Sequence, residues 1–270
     1  MLYLIPIAFL KSKISKMVIT LDSNTNSNSD HDDDEKDPIL SKLYKLLDQD
    51  HQEGNNNKAP FIQGLVFDCD GTLLDTMPIY YESWQRSCRD VGLLHRFPME
   101  RFYEMAGRTV EDIFQILIDE EYGDQNKKCD FTAKDCEKLK RKYHHEIETN
   151  EGRVAWSIDV VVSIVKRYHG KIPLAVASSG WRDHVINGLE RIGILNLFDA
   201  VVTADEVEVK HPKPAPDIYI EAARRLNVCP TRCIGFEDAD LGMLSIRNAN
   251  FYSAIDVREL YMYPRRINRP

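Results

Sequence analysis

No stretch of this 270-residue chain approaches the roughly 18 consecutive apolar residues that a membrane-spanning helix requires. Positive charge is also short: 35 Lys and Arg stand against 43 Asp and Glu, a formal charge of −8. That balance argues against a nucleic-acid-binding surface, which would need a basic patch. Cysteine is sparse and unpatterned. Cys69, Cys88, Cys129, Cys136, Cys229 and Cys233 form no CxxC pair, and a zinc set of Cys129, Cys136, His144 and His145 has no common ligand spacing. Reduced thiols in a reducing compartment are therefore expected. The opening MLYLIPIAFL is apolar, but Lys11, Lys13 and Lys16 follow it, the wrong order for a secretory signal. A cytoplasmic monomer is the expectation, with organelle targeting by the N-terminal extension as the alternative.

The chain does have enough apolar residues, 43%, for an ordinary packed core. Residues 21–37 are polar and acidic and cannot bury enough surface to order themselves. Ile39, Leu40, Leu43, Leu46 and Leu47 then recur at helical spacing, which predicts a short amphipathic helix that docks on the main domain or on a partner. A polar linker, GNNNKAP, follows. The composition break at Pro60 marks residues 1–60 as an extension and 61 as the start of the folded domain.

From Phe61 onward, short apolar segments alternate with helical periodicities. Leu65–Phe67, Leu174–Ala177, Ala200–Val202, Arg232–Phe236 and Phe251–Ile255 lack polar alternation, as strands do when both sheet faces are covered. Between them run one helix capped by Ser157 with Ile158, Val161, Val162, Val165 and Tyr168 inward, and a second striped by Val185, Ile186, Leu189 and Ile192. A third opens at Pro216. This alternation predicts an α/β fold with a parallel sheet. The interval 77–151 holds no strand signal but three helical stretches, Pro78–Val91, Val110–Glu120 and Ala133–Thr149. It reads as an all-helical cap inserted into a core of 61–76 and 152–262, lying over the carboxyl ends of the strands, where open α/β sheets bind ligands.

The strand ends carry the chemistry. In FDCDGTLLDT, Asp68 and Asp70 follow the first strand; a turn explains Gly71 but not a carboxylate directly after Phe67. The second strand runs into Ser178-Ser179-Gly180, a hydroxyl with free N–H groups suited to an anion. Lys213 sits between Pro212 and Pro214, and the strand at 232–236 ends in Glu237-Asp238. Each segment alone could be a turn, a helix cap or a solvated charge. Together, in this order and each after a predicted strand, acids with one cation suit Mg²⁺ and a phosphate.

FDCDGT, ASSG, the Lys213 loop and GFEDADLG, in this order, resemble the four motifs of the haloacid-dehalogenase (HAD) superfamily over residues 61–260. The helical insertion is similar to the β-phosphoglucomutase-like branch, and HPKPAPDIY with AIDVREL is most similar to its bacterial fructose-1-phosphate/6-phosphogluconate phosphatases. The resemblance implies a Rossmann-like three-layer core and a catalytic set of Asp68, Asp70, Ser178 and Lys213. In it Asp68 is the nucleophile and Asp70 the proton shuttle. It also implies Mg²⁺ on Asp68, the Asp70 carbonyl, Glu237 and Asp238, with Ser179 and Gly180 at the substrate. The implied activity is Mg²⁺-dependent hydrolysis of a small phosphorylated sugar or sugar acid; the alternatives are a β-phosphoglucomutase-type mutase and a catalytically idle binding protein.

In the cap, Arg108 is either a recognition residue for a second polar group or the partner of Glu111 or Asp112. Lys142, in KRKYHH, is either the counterpart of the mutase's substrate lysine or part of a solvated helix face. Two positions depart from the family pattern. Tyr80 stands where relatives have a histidine that influences the acid–base aspartate, and Val110 stands where the mutase has a phosphate-binding arginine. Both favour hydrolysis over phosphoryl transfer within the sugar.

Overall fold

The computed structural model describes residues 37–54, 61–106, 108–123 and 129–264. The targeting alternative and the acidic tract before Asp37 lie outside them. In chain order the core elements are α1 (Pro38–Gly54), β1 (Gly64–Phe67) and β2 (Leu74–Asp75). The cap follows with α2 (Met77–Asp90), α3 (Met99–Glu104), α4 (Val110–Tyr122) and α5 (Ala133–Thr149). The chain then returns through β3 (Trp156–Ser157), α6 (Asp159–Tyr168), β4 (Leu174–Ser178), α7 (Arg182–Arg191) and β5 (Ala200–Thr203). It ends with α8 (Asp217–Arg225), β6 (Cys233–Glu237), α9 (Asp240–Asn248) and β7 (Ser253–Asp256).

The sheet is parallel, in the order β5-β4-β1-β6-β7. Every residue of β1, β4 and β6 is buried, which is why these strands read as unbroken apolar runs rather than alternating ones. Phe67 and Phe236 stack across β1 and β6 with centroids 4.4 Å apart. Because β1 is central, Asp68 emerges at the middle of the sheet's carboxyl edge.

The cap packs around its own core, in which Trp84 lies against Phe97 (4.8 Å) and Phe114 (4.6 Å). Thr132 and Asp135 form a capping box that starts α5. The two chain crossings between core and cap pair with each other: β2 and β3 form an antiparallel ribbon, Leu74 opposite Ser157 and Asp75 opposite Trp156. Two-residue strands leave no periodicity to read. Ser157 lies in that ribbon and bonds Asp159 rather than capping α6, whose N-terminal position is Ile158.

The break at Pro60 does not bound the packed core. Leu40, Leu43 and Leu47 of α1 are buried against the same cluster as Leu65 and Phe67. The Arg167 guanidinium lies 4.2 Å over the Tyr44 ring and pairs with Asp48 at 2.7 Å. Asp37 Oδ1 accepts the first-turn N–H groups of Ile39 and Leu40, while its Oδ2 accepts the Tyr261 N–H at 2.7 Å. Composition locates a segment's polarity, not its docking surface. None of the described helices is long and apolar enough to cross a membrane. All six cysteines are free thiols.

Candidate active site

Asp68 leaves β1 with its N–H on the Phe236 carbonyl (2.9 Å), so the pairing of β1 with β6 fixes its backbone. The Lys213 ammonium donates to Asp68 Oδ1 at 2.7 Å and to Glu237 Oε1 at 3.1 Å, all three side chains being buried. The loop carrying Lys213 is tied down at both ends. Asp217 Oδ2 accepts the N–H groups of Lys210 and His211 at 3.1 Å, and Asn248 Nδ2 donates to the Pro214 carbonyl at 2.9 Å.

Glu237 and Asp238 end β6, and Glu237 Oε2 accepts the Asp238 N–H at 2.8 Å. Thr72 Oγ1 donates to Asp238 Oδ1 at 3.3 Å. Gly71 (φ +87°) leaves room for Asp238, and Gly242 leaves room for Glu237: a Cβ at Gly242 would stand 1.4 Å from Glu237 Oε1. Carboxylate oxygens of Asp68, Glu237 and Asp238 lie within 4.8 Å of one another. Burial and the Glu237 charge push the Asp68 carboxyl up to about 8 despite Lys213, and burial with Glu237 and Asp68 pushes Asp238 well up. Lys213, against its burial, is held charged by Asp68 and Glu237. Three clustered carboxyl groups, Asp68 and Glu237 buried and Asp238 half-buried, share one ammonium, and the raised Asp68 and Asp238 pKa values mark a site short of positive charge. Such a hard-oxygen set fits a divalent cation of the Mg²⁺ class.

Ser178, fully buried at the end of β4, accepts the Gly180 N–H on its hydroxyl (3.0 Å). Gly180 brings this loop to Asp70, since a Cβ there would sit 3.1 Å from Asp70 Oδ2 and from Ser178 Oγ. Ser179 faces solvent. Asp70 itself sits in a tight turn closed by Gly71 N–H to the Leu74 carbonyl (2.7 Å). Burial alone would raise its pKa, but the nearby His184, with Tyr80 and Thr76, brings it below the usual carboxylate value.

Two residues near Asp70 escaped the sequence reading. His184 of α7 places Nε2 3.7 Å from Asp70 Oδ1 and 3.1 Å from the Tyr80 hydroxyl. Lys140 of α5 is buried with Nζ 4.2 Å over the Tyr80 ring, and among the described residues it has no ion-pair partner. Burial pushes its ammonium down to about 8 against the pull of Asp70. Lys142 instead lies on the exposed side of α5, 3.8 Å from Glu146, so in the KRK run Lys140 is the lysine facing the site. A signal for this existed: Lys140 falls on the buried stripe of Ala133, Cys136 and Ile147, whereas Lys142 is turned about 200° away. His184 has no comparable signal.

Arg108 is exposed and has no ion pair among the described residues, with Glu111 and Asp112 included. Val110 packs on the cap's apolar core. Trp181 is half exposed, with the Arg141 guanidinium of the cap 3.8 Å over its ring. The imagined Cys129–Cys136–His144–His145 set is not assembled; His144 faces Glu148 at 3.6 Å and the His184 ring at 5.1 Å.

Comparison with known proteins gives concordant results. The chain is 34% identical to fructose-1-phosphate phosphatase YqaB of Escherichia coli over 73% of this chain and 97% of that protein. It is 29% identical to a phosphorylated carbohydrates phosphatase of Thermotoga maritima over 70% of this chain and 82% of that one. Among solved structures, β-phosphoglucomutase of Clostridium difficile shares the fold with TM-score 0.56 at 24% identity, covering 71% of this chain and 83% of that one. The sequence model described as haloacid dehalogenase-like hydrolase matches residues 65–255, from the first strand of the sheet to the last, and the chain belongs to that family.

Proposed function

We propose that the protein is a Mg²⁺-dependent phosphatase that hydrolyses a small phosphorylated sugar or sugar acid through a phosphoryl group carried on Asp68. The observation that carries the reading is the clustering of buried Asp68, Lys213 and Glu237 with half-buried Asp238, and Asp70 two residues from the nucleophile. The names of the phosphatase relatives support the substrate class.

In this reading the Asp68 carboxylate attacks phosphorus, an Asp68 O–P bond forms and the bond from phosphorus to the sugar oxygen breaks. The protonated form of Asp70, the minor form in the free protein at neutral pH, hands its proton to the leaving oxygen. Water then attacks the phosphoryl group and gives a proton to Asp70, and the Asp68 O–P bond breaks to release phosphate. Lys213 offsets charge on the phosphoryl oxygens, and Ser178 with the Ser179 and Gly180 backbone holds them. Asp68, the Asp70 carbonyl, Glu237 and Asp238 would hold Mg²⁺, which when bound supplies positive charge against the substrate dianion. Lys140, buried and without an ion-pair partner among the described residues, suits an anionic or hydroxyl-rich part of the substrate on the cap side.

Hydrolysis is favoured over a mutase reaction because Val110, packed on the cap's apolar core, offers no charge to a second phosphate. The test is phosphate release from a panel that includes fructose-1-phosphate. Release without a sugar bisphosphate primer is expected. Fast conversion of β-glucose-1-phosphate to glucose-6-phosphate with the primer, and negligible release from any monophosphate, would overturn the reading.

A further inference from the structure

Asp70 Oδ1 is buried and has no hydrogen-bond partner within normal length among the described residues. Its nearest cation is His184 Nε2 at 3.7 Å, and the same nitrogen lies 3.1 Å from the Tyr80 hydroxyl. An imidazole nitrogen has one proton to give. When Nε2 carries it, the Tyr80 oxygen accepts, and the Tyr80 O–H is free to turn to Asp70. Tyr80 belongs to the first cap helix, whereas His184 and Asp70 belong to the core. The three side chains therefore meet only where the cap rests on the core.

His144, Glu148 and His184 also lie close enough to suggest a metal ion. The surroundings oppose that: Arg191 stands 3.7 Å from Glu148, and the Lys140 ammonium is buried beside the Tyr80 ring that His144 contacts. The cluster is already supplied with cations.

We infer that His184, acting with the Tyr80 hydroxyl, is a positioning residue that holds the Asp70 carboxyl in line with the leaving oxygen when the cap is seated. The inference rests on the phosphatase reading. It goes further, because it assigns the alignment of the proton donor to a core histidine and a cap tyrosine.

A consequence separates this role from mere packing. A sugar alkoxide is a poor leaving group and needs the proton from Asp70; nitrophenolate does not. kcat/KM reports the first phosphoryl transfer, so the ratio of its values for fructose-1-phosphate and p-nitrophenyl phosphate reads the donor's alignment. His184→Ala is expected to lower kcat/KM at least tenfold for the sugar phosphate and less than about threefold for the nitrophenyl ester. His184→Gln, which restores an N–H donor, should recover part of the ratio. Tyr80→Phe should shift it in the same direction by a smaller factor, and it carries the same test if His184→Ala fails to fold. An equal fall for both substrates, or no fall, overturns the inference while leaving the phosphatase reading intact. A wild-type protein that hydrolyses neither substrate overturns the phosphatase reading and this inference with it.

Discussion

Gly71 and Asp238 compete for one volume: a Cβ on Gly71 would stand 2.3 Å from Asp238 Oδ2. The first motif loop and the last strand end therefore fit together only because residue 71 has no side chain. Its φ of +87° adds a second reason, since a left-handed backbone strains any other residue by about 1–2 kcal/mol. Gly71→Ala should displace Asp238 from the acidic cluster. The expected outcome is at least a hundredfold loss of Mg²⁺-supported turnover and a higher Mg²⁺ requirement, with the circular dichroism spectrum unchanged. A metal titration of activity checks it.

Asp68→Asn should abolish turnover, because an amide cannot form the acyl phosphate. The fold should survive, since Lys213 keeps Glu237 at 3.1 Å and the buried site loses one of its crowded negative charges. In the presence of a chelator the melting temperature of Asp68→Asn should equal or exceed that of the wild type. A lower one would mean that the ion pair with Lys213 outweighs the crowding.

Lys140 gives a pH dependence of definite sign. Its folded pKa, about 8, lies below the ordinary 10.5, so between these values the unfolded chain binds more protons than the folded one. Its contribution therefore makes stability rise with pH across that window, and Lys140→Met should flatten the rise in a series of urea unfolding curves. Substrate binding should move the other way. Above pH 8 the free enzyme loses this cation, so the Lys140 contribution to kcat/KM should fall by up to about tenfold per pH unit. Lys142→Ala, on the exposed face of α5, should change neither curve.

Removing residues 1–58 deletes α1 and with it Leu40, Leu43 and Leu47, each almost fully buried in the main core. Truncating one such leucine to alanine costs about 2–5 kcal/mol, so the shortened protein should be marginal or insoluble. Leu47→Ala in the full chain should lower the urea midpoint without changing kcat at 25 °C. A truncated protein with unaltered stability would show that the helix packs without contributing.

What the sequence determined is what depends on neighbours along the chain. Five apolar runs became the five strands of the parallel sheet, because buried strands need only local composition to be recognised. The helical insertion and the acids and lysine at the strand ends were legible for the same reason, and a parallel sheet gathers its carboxyl ends on one edge. The tertiary structure decided whatever depends on residues far apart in sequence. It brought α1 across the break at Pro60 and paired β2 with β3 over the inserted cap. It also set His184 beside Asp70, 114 positions away from it in the chain and joined through a cap tyrosine. No local pattern encodes that meeting, because it arises from the seating of one apolar core on another.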